Sequence, residues 1–337
     1  MSYKISVKFM TNIEKAKELL KTMNESERLE LIRLCNVENT KLKIDNIYLQ
    51  FNNNHHCPYC NSNKIKKNGK ALGKYPQFKC NNCKKNYTIR TNTIFFHTRK
   101  SIQLWQEYIE LFSQGLALRK IVEKMDKKIN LKTAFYWRHK ILKVLTKKDD
   151  NDKLGGIIEA DETFFEESQK GARKVKGRPA RKHGYSSYVG DKKTKICVLT
   201  AIDRNKSSYV KPVGFGGLEK DDVILLQRHL VKDSVLITDG NRTYRNLHDI
   251  KLKSLKFGKA QSKVYHLNNI NNFHSMLKKF MIRFNGVATK YLDFYVNYFK
   301  NIKDKVDVFN QLLLVPSYYR NVDIRNKKVC FERYVNL

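Results

Sequence analysis

The chain has 337 residues, enough for one large domain or for two to three smaller ones that each bury their own core. Its 67 Lys and Arg against 32 Asp and Glu leave a formal charge of +35, far more than solubility needs, which points to a polyanionic partner and first of all to nucleic acid. No apolar run approaches the roughly 20 residues of a spanning helix, and MSYKISVKFM lacks the apolar core of a signal peptide, so no membrane partner is expected and a cytoplasmic, nucleoid-associated location is.

Residues 12–36 repeat apolar positions every three to four residues among charges, the pattern of one or two amphipathic helices. Residues 1–54 are therefore expected to be a helical N-terminal segment, whose role the sequence does not reveal. Residues 55–92 carry Cys57-Pro-Tyr-Cys60 and Cys80-Asn-Asn-Cys83, two CxxC pairs with nineteen residues between them. Two residues between ligands let the backbone curl so that both sulfurs reach one tetrahedral ion, and the second pair closes the cage. The spacing predicts a zinc ribbon with a structural Zn2+, and His55 and His56 are left outside a shell that the cysteines fill. The lysines around the pairs suit a module that touches phosphates. Cys35, Cys197 and Cys330 are expected to be ordinary buried thiols.

Residues 98–148 turn helical, with breaks at Gln114-Gly115 and near Lys127 to Asn130, and a final helix opening at about Leu131. That is the outline of a helix-turn-helix DNA-binding domain. Ala134, Phe135, Ile141, Leu142 and Leu145 form its apolar stripe, while Lys132, Tyr136, Lys140 and Lys143 lie three to four residues apart on another face that would meet DNA. A helical linker with a solvated basic face has the same pattern.

Residues 154–300 read as strands followed by alternating strand and helix, a mixed α/β sheet. One apolar strand, Gly156 to Ala160, is read as ending on Asp161, and a second, in SVLITDG, as ending on Asp239. Carboxylates at the ends of neighbouring strands can converge on Mg2+ or Mn2+, although an Asp after a strand is also a common turn device. Glu159, two residues before Asp161, shares its strand face and is either a further carboxylate for the site or structural. The loop Lys170 to Gly184 carries Arg173, Lys174, Arg178 and Arg181 and would track DNA, unless it is simply solvated. In the helix of about Asn269 to Phe284, Asn271, His274, Ser275 and Lys278 share one side, while Phe273, Leu277, Phe280 and Phe284 gather on the other. Residues 301–337 are a C-terminal tail of unknown role.

In order, CPYC to CNNC, LRKIV with TAFYWRHKIL, EADETFFEES with its basic loop, ITDG, and HLNNINNFHSMLKKF with FNGVATKYLDFY resemble the zinc-ribbon DDE transposases of bacterial insertion sequences. The resemblance covers about residues 55–300. It implies a multidomain α+β chain with an RNase H-like catalytic domain, double-stranded DNA as partner (terminal inverted repeats and target), a homo-oligomer on DNA, and two divalent ions. By position, Asp161 and Asp239 match the first two acids. The third acid position falls on Asn271, where many such enzymes have Glu and a subgroup has Asn with a downstream Lys, here Lys278. His266 and His274 match positions near the site. The implied activity is cleavage at element ends and transfer of the 3′-OH to target DNA. The alternatives are a non-catalytic, sequence-specific DNA-binding protein derived from a transposase, which only Asn271 favours, and a structure-specific nuclease.

Overall fold

A computed structural model describes residues 19–28, 30, 31, 35, 56–71, 75–96, 98–146, 153–177, 192–255, 263–304, 308 and 324. The chain divides into two compact units, one of residues 1–91 with 101–106 and one of residues 92–100 with 107–337. No helix among the described residues is long and apolar enough to cross a membrane.

In the first unit, part of the predicted N-terminal helical segment is described. Residues 19–22 and 25–28 are helical. Asn24 and Glu27 cap the second stretch reciprocally: the Glu27 N–H donates to Asn24 Oδ1 (3.0 Å) and the Asn24 N–H to Glu27 Oε2 (2.9 Å). The ribbon is a three-stranded antiparallel sheet of β1 (Ile65–Ala71), β2 (Tyr75–Cys80) and β3 (Asn86–Tyr87), in that order. Its buried cluster is small: Cys57, Phe78, Cys80 and Tyr87, with Phe78 and Tyr87 stacked at 5.8 Å. Of the remaining thiols, Cys197 is buried as expected, Cys35 is exposed, and Cys330 lies outside the described residues.

The second unit contains most of α1 (Ile102–Ser113), then α2 (Leu118–Lys124) and α3 (Leu131–Thr146). The chain breaks where the sequence pattern does. Gly115, at φ +72, follows α1, and Asp126 and Lys127 turn through positive φ after α2. Asn130 Oδ1 then accepts from the Thr133 N–H (2.8 Å), capping the first turn of α3. α3 buries Ala134, Trp137, Ile141, Leu142 and Leu145.

A five-stranded sheet follows, ordered β6-β5-β4-β7-β8, from β4 (Ile157–Glu166), β5 (Lys195–Asp203), β6 (Ser208–Phe215), β7 (Val235–Thr238) and β8 (Lys251–Ser254). β4, β5 and β6 are antiparallel neighbours, whereas β7 joins β4, and β8 joins β7, in parallel. Ile158, Ala160, Cys197, Leu199 and Ala201 form one buried face with Val223 and Leu226 of α4 (Lys220–Gln227). Period-2 alternation puts Glu159, Asp161, Thr163, Val198 and Thr200 on the other face, the side from which α5 (Asn268–Ile282) bonds to Glu159 and Thr200. α6 (Leu292–Lys303) continues this second layer, with Phe273 of α5 meeting Phe299 of α6 edge-on at 5.1 Å. One expectation is corrected: β4 does not end on Asp161 but runs on to Glu166, paired with β5 throughout. Phe164 and Phe165 continue the strand beyond the apolar run, and β5 supplies their partners Cys197 and Ile196.

Candidate catalytic site and metal-ligand clusters

Thiol geometry in the ribbon follows from two matching knuckles. Asn61 and Lys84, each just after a CxxC pair, adopt positive φ (56 and 61), so the chain doubles back after each pair. The sulfurs meet across the pairs, Cys57 with Cys83 at 3.5 Å and Cys60 with Cys80 at 3.6 Å. All four lie within 4.8 Å of one another. Bonds of about 2.3 Å to one tetrahedral ion require sulfurs roughly 3.8 Å apart, so this donor set fits zinc. The backbone N–H of Cys83 leads in lowering Cys80 to about 6. The Lys85 N–H acts on Cys83 in the same direction, yet burial and the three neighbouring sulfurs push it up to about 11. Four thiols this close cannot all ionise without a cation among them.

The acidic cluster arises at the edge of the larger sheet. Pairing of β4 with β7 stops at Glu159–Ile237, so among the described residues the β4 strand is paired at residues 161 and 162 on the β5 side alone. Asp239 follows the last residue of β7, and Gly240, at φ +99, turns the chain immediately after it. That turn lets the Asn241 N–H donate to Asp239 Oδ1 (3.2 Å) and Asn241 Nδ2 donate to Glu162 Oε1 (3.1 Å). Asp161, Glu162 and Asp239 thus bring carboxylate oxygens within 4.8 Å of one another. Burial, then the charges of Asp239 and Asp161, raise Glu162 to about 7 against the partial relief of Tyr244 and Asn241. Hard oxygen donors crowded until one holds its proton near neutrality are a fit for a divalent cation.

α5 brings a nitrogen to the same place. The Thr200 hydroxyl donates to the Asp161 carbonyl (2.8 Å), so in its 2.6 Å contact with His274 the ring Nε2–H is the donor. Nδ1 then carries a lone pair and faces Asp161 Oδ2 at 3.8 Å. Burial, with Lys278 second, lowers His274 to about 4, so the ring is neutral at pH 7 and the contact is not an ion pair. Two lone-pair atoms facing each other are what a bound cation would join.

Of the residues singled out from sequence, Asp161 and Asp239 come together and His274 joins them. Asn271 and Lys278 are exposed on α5, one turn before and one turn after His274. The Asn271 side chain has no hydrogen-bond partner among the described residues. Glu159 is 1% exposed and directed elsewhere. It accepts from the N–H groups of Asn269 (2.9 Å) and Ile270 (3.0 Å) at the start of α5, from Asn269 Nδ2 (2.6 Å), and from Arg204 (2.7 Å). His266 belongs to that clamp, with Nδ1 3.5 Å from Glu159. Lys132 is exposed, Lys140 and Lys143 are half-buried, and Arg173 and Lys174 are exposed, whereas Arg178 and Arg181 lie outside the described residues. Tyr136, expected on the face that meets DNA, is 9% exposed, with its ring edge-on to Phe135 at 5.7 Å.

Glu162 was missed because strict alternation assigns it to the face opposite Asp161. The signal was the adjacent acid pair of GGIIEADETFF, and only the open strand edge turns that pair into one cluster.

Residues 153–300 match the family model of the ISXO2-like transposase domain. The chain carries a DDE transposase domain of the ISXO2-like family. Both halves of the acidic cluster and the α5 row lie within this transposase domain. A crystal structure of a pre-cleavage Mos1 transpososome is similar over 66% of this chain and 81% of that chain at 11% identity, with a TM-score of 0.21, and so distant a likeness carries no argument. No curated protein matches the chain.

Proposed function

We propose that the transposase cleaves DNA at the ends of an insertion sequence and joins the exposed 3′-OH to target DNA, using a DDE-type site on an RNase H-like sheet. The observation that carries this is the convergence of Asp161, Glu162 and Asp239, with His274 against Asp161. The antiparallel β6-β5-β4 run extended in parallel by β7 and β8 supports the RNase H-like assignment. Asp161 and Asp239 would hold divalent ions, which when bound would neutralise charge at a phosphodiester and favour ionisation of the attacking oxygen. In the first step a water oxygen bonds to phosphorus as the 3′ oxygen leaves as the hydroxyl. In the second, that hydroxyl bonds to a target phosphorus as the target's 3′ oxygen leaves, so bonds made and broken balance without a co-reactant. Lys278 and Asn271 line the DNA side of α5, where Lys278 meets a phosphate. α2 and α3 act as the helix-turn-helix, and the ribbon, holding structural zinc, adds phosphate contacts.

The non-catalytic reading rests on the uncharged Asn271, and Glu162 answers it by keeping three carboxylates at the site. The test is to incubate the protein with MnCl2, a duplex carrying the DNA that flanks its gene, and a supercoiled target plasmid. Nicks at one fixed position followed by joined product are expected. DNA binding without nicking in Mg2+ or Mn2+ would leave the DNA-binding relic standing in its place.

A further inference from the structure

A cavity of about 690 Å³ opens in the second unit beside the N-terminal half of α3. Phe135, Tyr136 and His139 of α3 face Phe284, Tyr291 and Tyr295, so much of its lining is aromatic. His139 is held between Phe135 and Tyr291, with centroids 4.1 and 4.4 Å away. Its Nδ1 lies 2.8 Å from the Phe135 carbonyl, and burial lowers it to about 3, so this ring is neutral at pH 7. Two polar atoms of lining residues, Arg138 Nε and His139 Nε2, are buried without a hydrogen-bond partner.

Charge is confined to one sign. Arg119, Arg138, Lys170, Arg283 and Lys290 line the same cavity, and among the described residues no acidic one does. Arg119 and Arg283 are exposed, as is Leu131 at 43%, which places them at the opening. The Lys170 ammonium donates to the carbonyls of Asn285 (2.7 Å) and Gly286 (3.0 Å), fixing the loop that forms the far rim. A ligand suited to this lining is flat, to lie against aromatic rings, and anionic, to meet the cations. Duplex DNA is too wide to enter, and its bases hide their faces in the stack. A lone nucleotide has a free π-face and a phosphate, and the volume is of the order that holds one small ligand, roughly 300–1,000 Å³.

We propose that this cavity takes a single unstacked nucleotide of the bound DNA, its base against the aromatic lining and its phosphates on the cations at the opening. The proposal rests on the DNA-binding reading above and adds to it a site for one extruded base. The test compares a fluorescein-labelled duplex with the same duplex carrying one unpaired 2-aminopurine, using the full chain with zinc bound. The bulged duplex should bind about tenfold tighter than the paired one, with a change in 2-aminopurine emission on binding. Leu131→Trp, which fills the opening, and Arg119→Ala should each bring the ratio of bulged-duplex to paired-duplex affinity, measured within the same variant, down to about one, whatever either does to duplex binding itself. Equal affinity of the wild type for both duplexes, or a preference that Leu131→Trp leaves intact, overturns the cavity assignment while DNA binding stands. Failure to bind either duplex overturns the DNA-binding reading and the cavity with it.

Discussion

Four sulfurs in the ribbon and three carboxylates at the sheet edge each crowd groups of one kind together, but the two clusters sit in very different amounts of protein. Among the described residues the ribbon's buried apolar cluster has four members, two of them the ligands Cys57 and Cys80, whereas the apolar core on the sheet face opposite Asp161 has thirteen. In the first case the ligands are the core. In the second they are mounted on a core that exists without them. The difference teaches what an ion would do in each: at the four sulfurs it would organise a fold, and at the carboxylates it would serve a site that the fold already holds open.

The largest effect should therefore come from the ribbon. Cys80→Ser, or a strong chelator, removes an ion whose binding in small zinc domains is worth about 10–16 kcal/mol, more than so small a core can replace. We expect loss of one zinc per chain and rapid proteolysis within residues 56–91, while the transposase domain keeps its resistance. Retention of full zinc by the variant would break the contrast. Next in size, Asp161→Ala should cut cleavage by at least about 1,000-fold, since metal-borne charge stabilisation is worth several kcal/mol. It should leave the melting temperature unchanged or raised, because it removes one of three mutually repelling carboxylates. A melting temperature that fell with activity would mean that Asp161 supports the fold.

Glu159 sharpens the comparison from the other side, since it is an acid in the sheet that does behave structurally. Its carboxylate takes two N–H groups at the start of α5 and the Arg204 guanidinium. Glu159→Gln keeps the shape but removes the charge and turns an acceptor oxygen into a donor. With Arg204 about one-third exposed, the cost should be about 2 kcal/mol and not the full value of a buried pair. Because α5 carries His274, Asn271 and Lys278, cleavage should fall with little change in Mn2+ affinity. A Mn2+ affinity that fell as far as in Asp161→Ala would make Glu159 a ligand after all.

What could be read from sequence followed how local each feature is. The CxxC pairs declare themselves within four residues, and the helix breaks at Gly115 and before Leu131 come from turn and capping residues next to them. Asp161 and Asp239 were legible because each follows an apolar run, although the run's end was mistaken for the strand's end. Glu162 and the Glu159 clamp were not legible. Both depend on which strand lies beside β4 and where that neighbour stops, facts set by chain topology and not by period. The packing of Tyr136 on Phe135 was not legible for a related reason, since helical spacing marks a face but not what packs on it.

The smallest predicted effect concerns protons at the acidic site. Glu162, at about 7 against an ordinary value of 4.5, keeps its proton in the metal-free fold over a range where the unfolded chain has lost it. Between those two values the folded state binds more protons than the unfolded state, so the Glu162 contribution to stability is full below about 4.5 and is lost as pH rises through 7. His274, lowered to about 4, works oppositely: between 4 and 6.5 the unfolded chain binds the extra proton, so that contribution grows with pH. Comparison with Glu162→Gln subtracts the histidine and leaves the carboxyl alone. A cation must displace the Glu162 proton to bind, so Mn2+ affinity should rise about tenfold from pH 6 to pH 8, as a group with a pKa near 7 ionises. Calorimetric titration at both values, repeated in buffers of different ionisation enthalpy, should show close to one proton released per site at pH 6. Glu162→Gln should bind more weakly at pH 8 and lose most of the pH dependence. If that variant kept the wild-type affinity and slope, the third carboxylate would stand beside the ions without holding them, and the burden would return to Asn271.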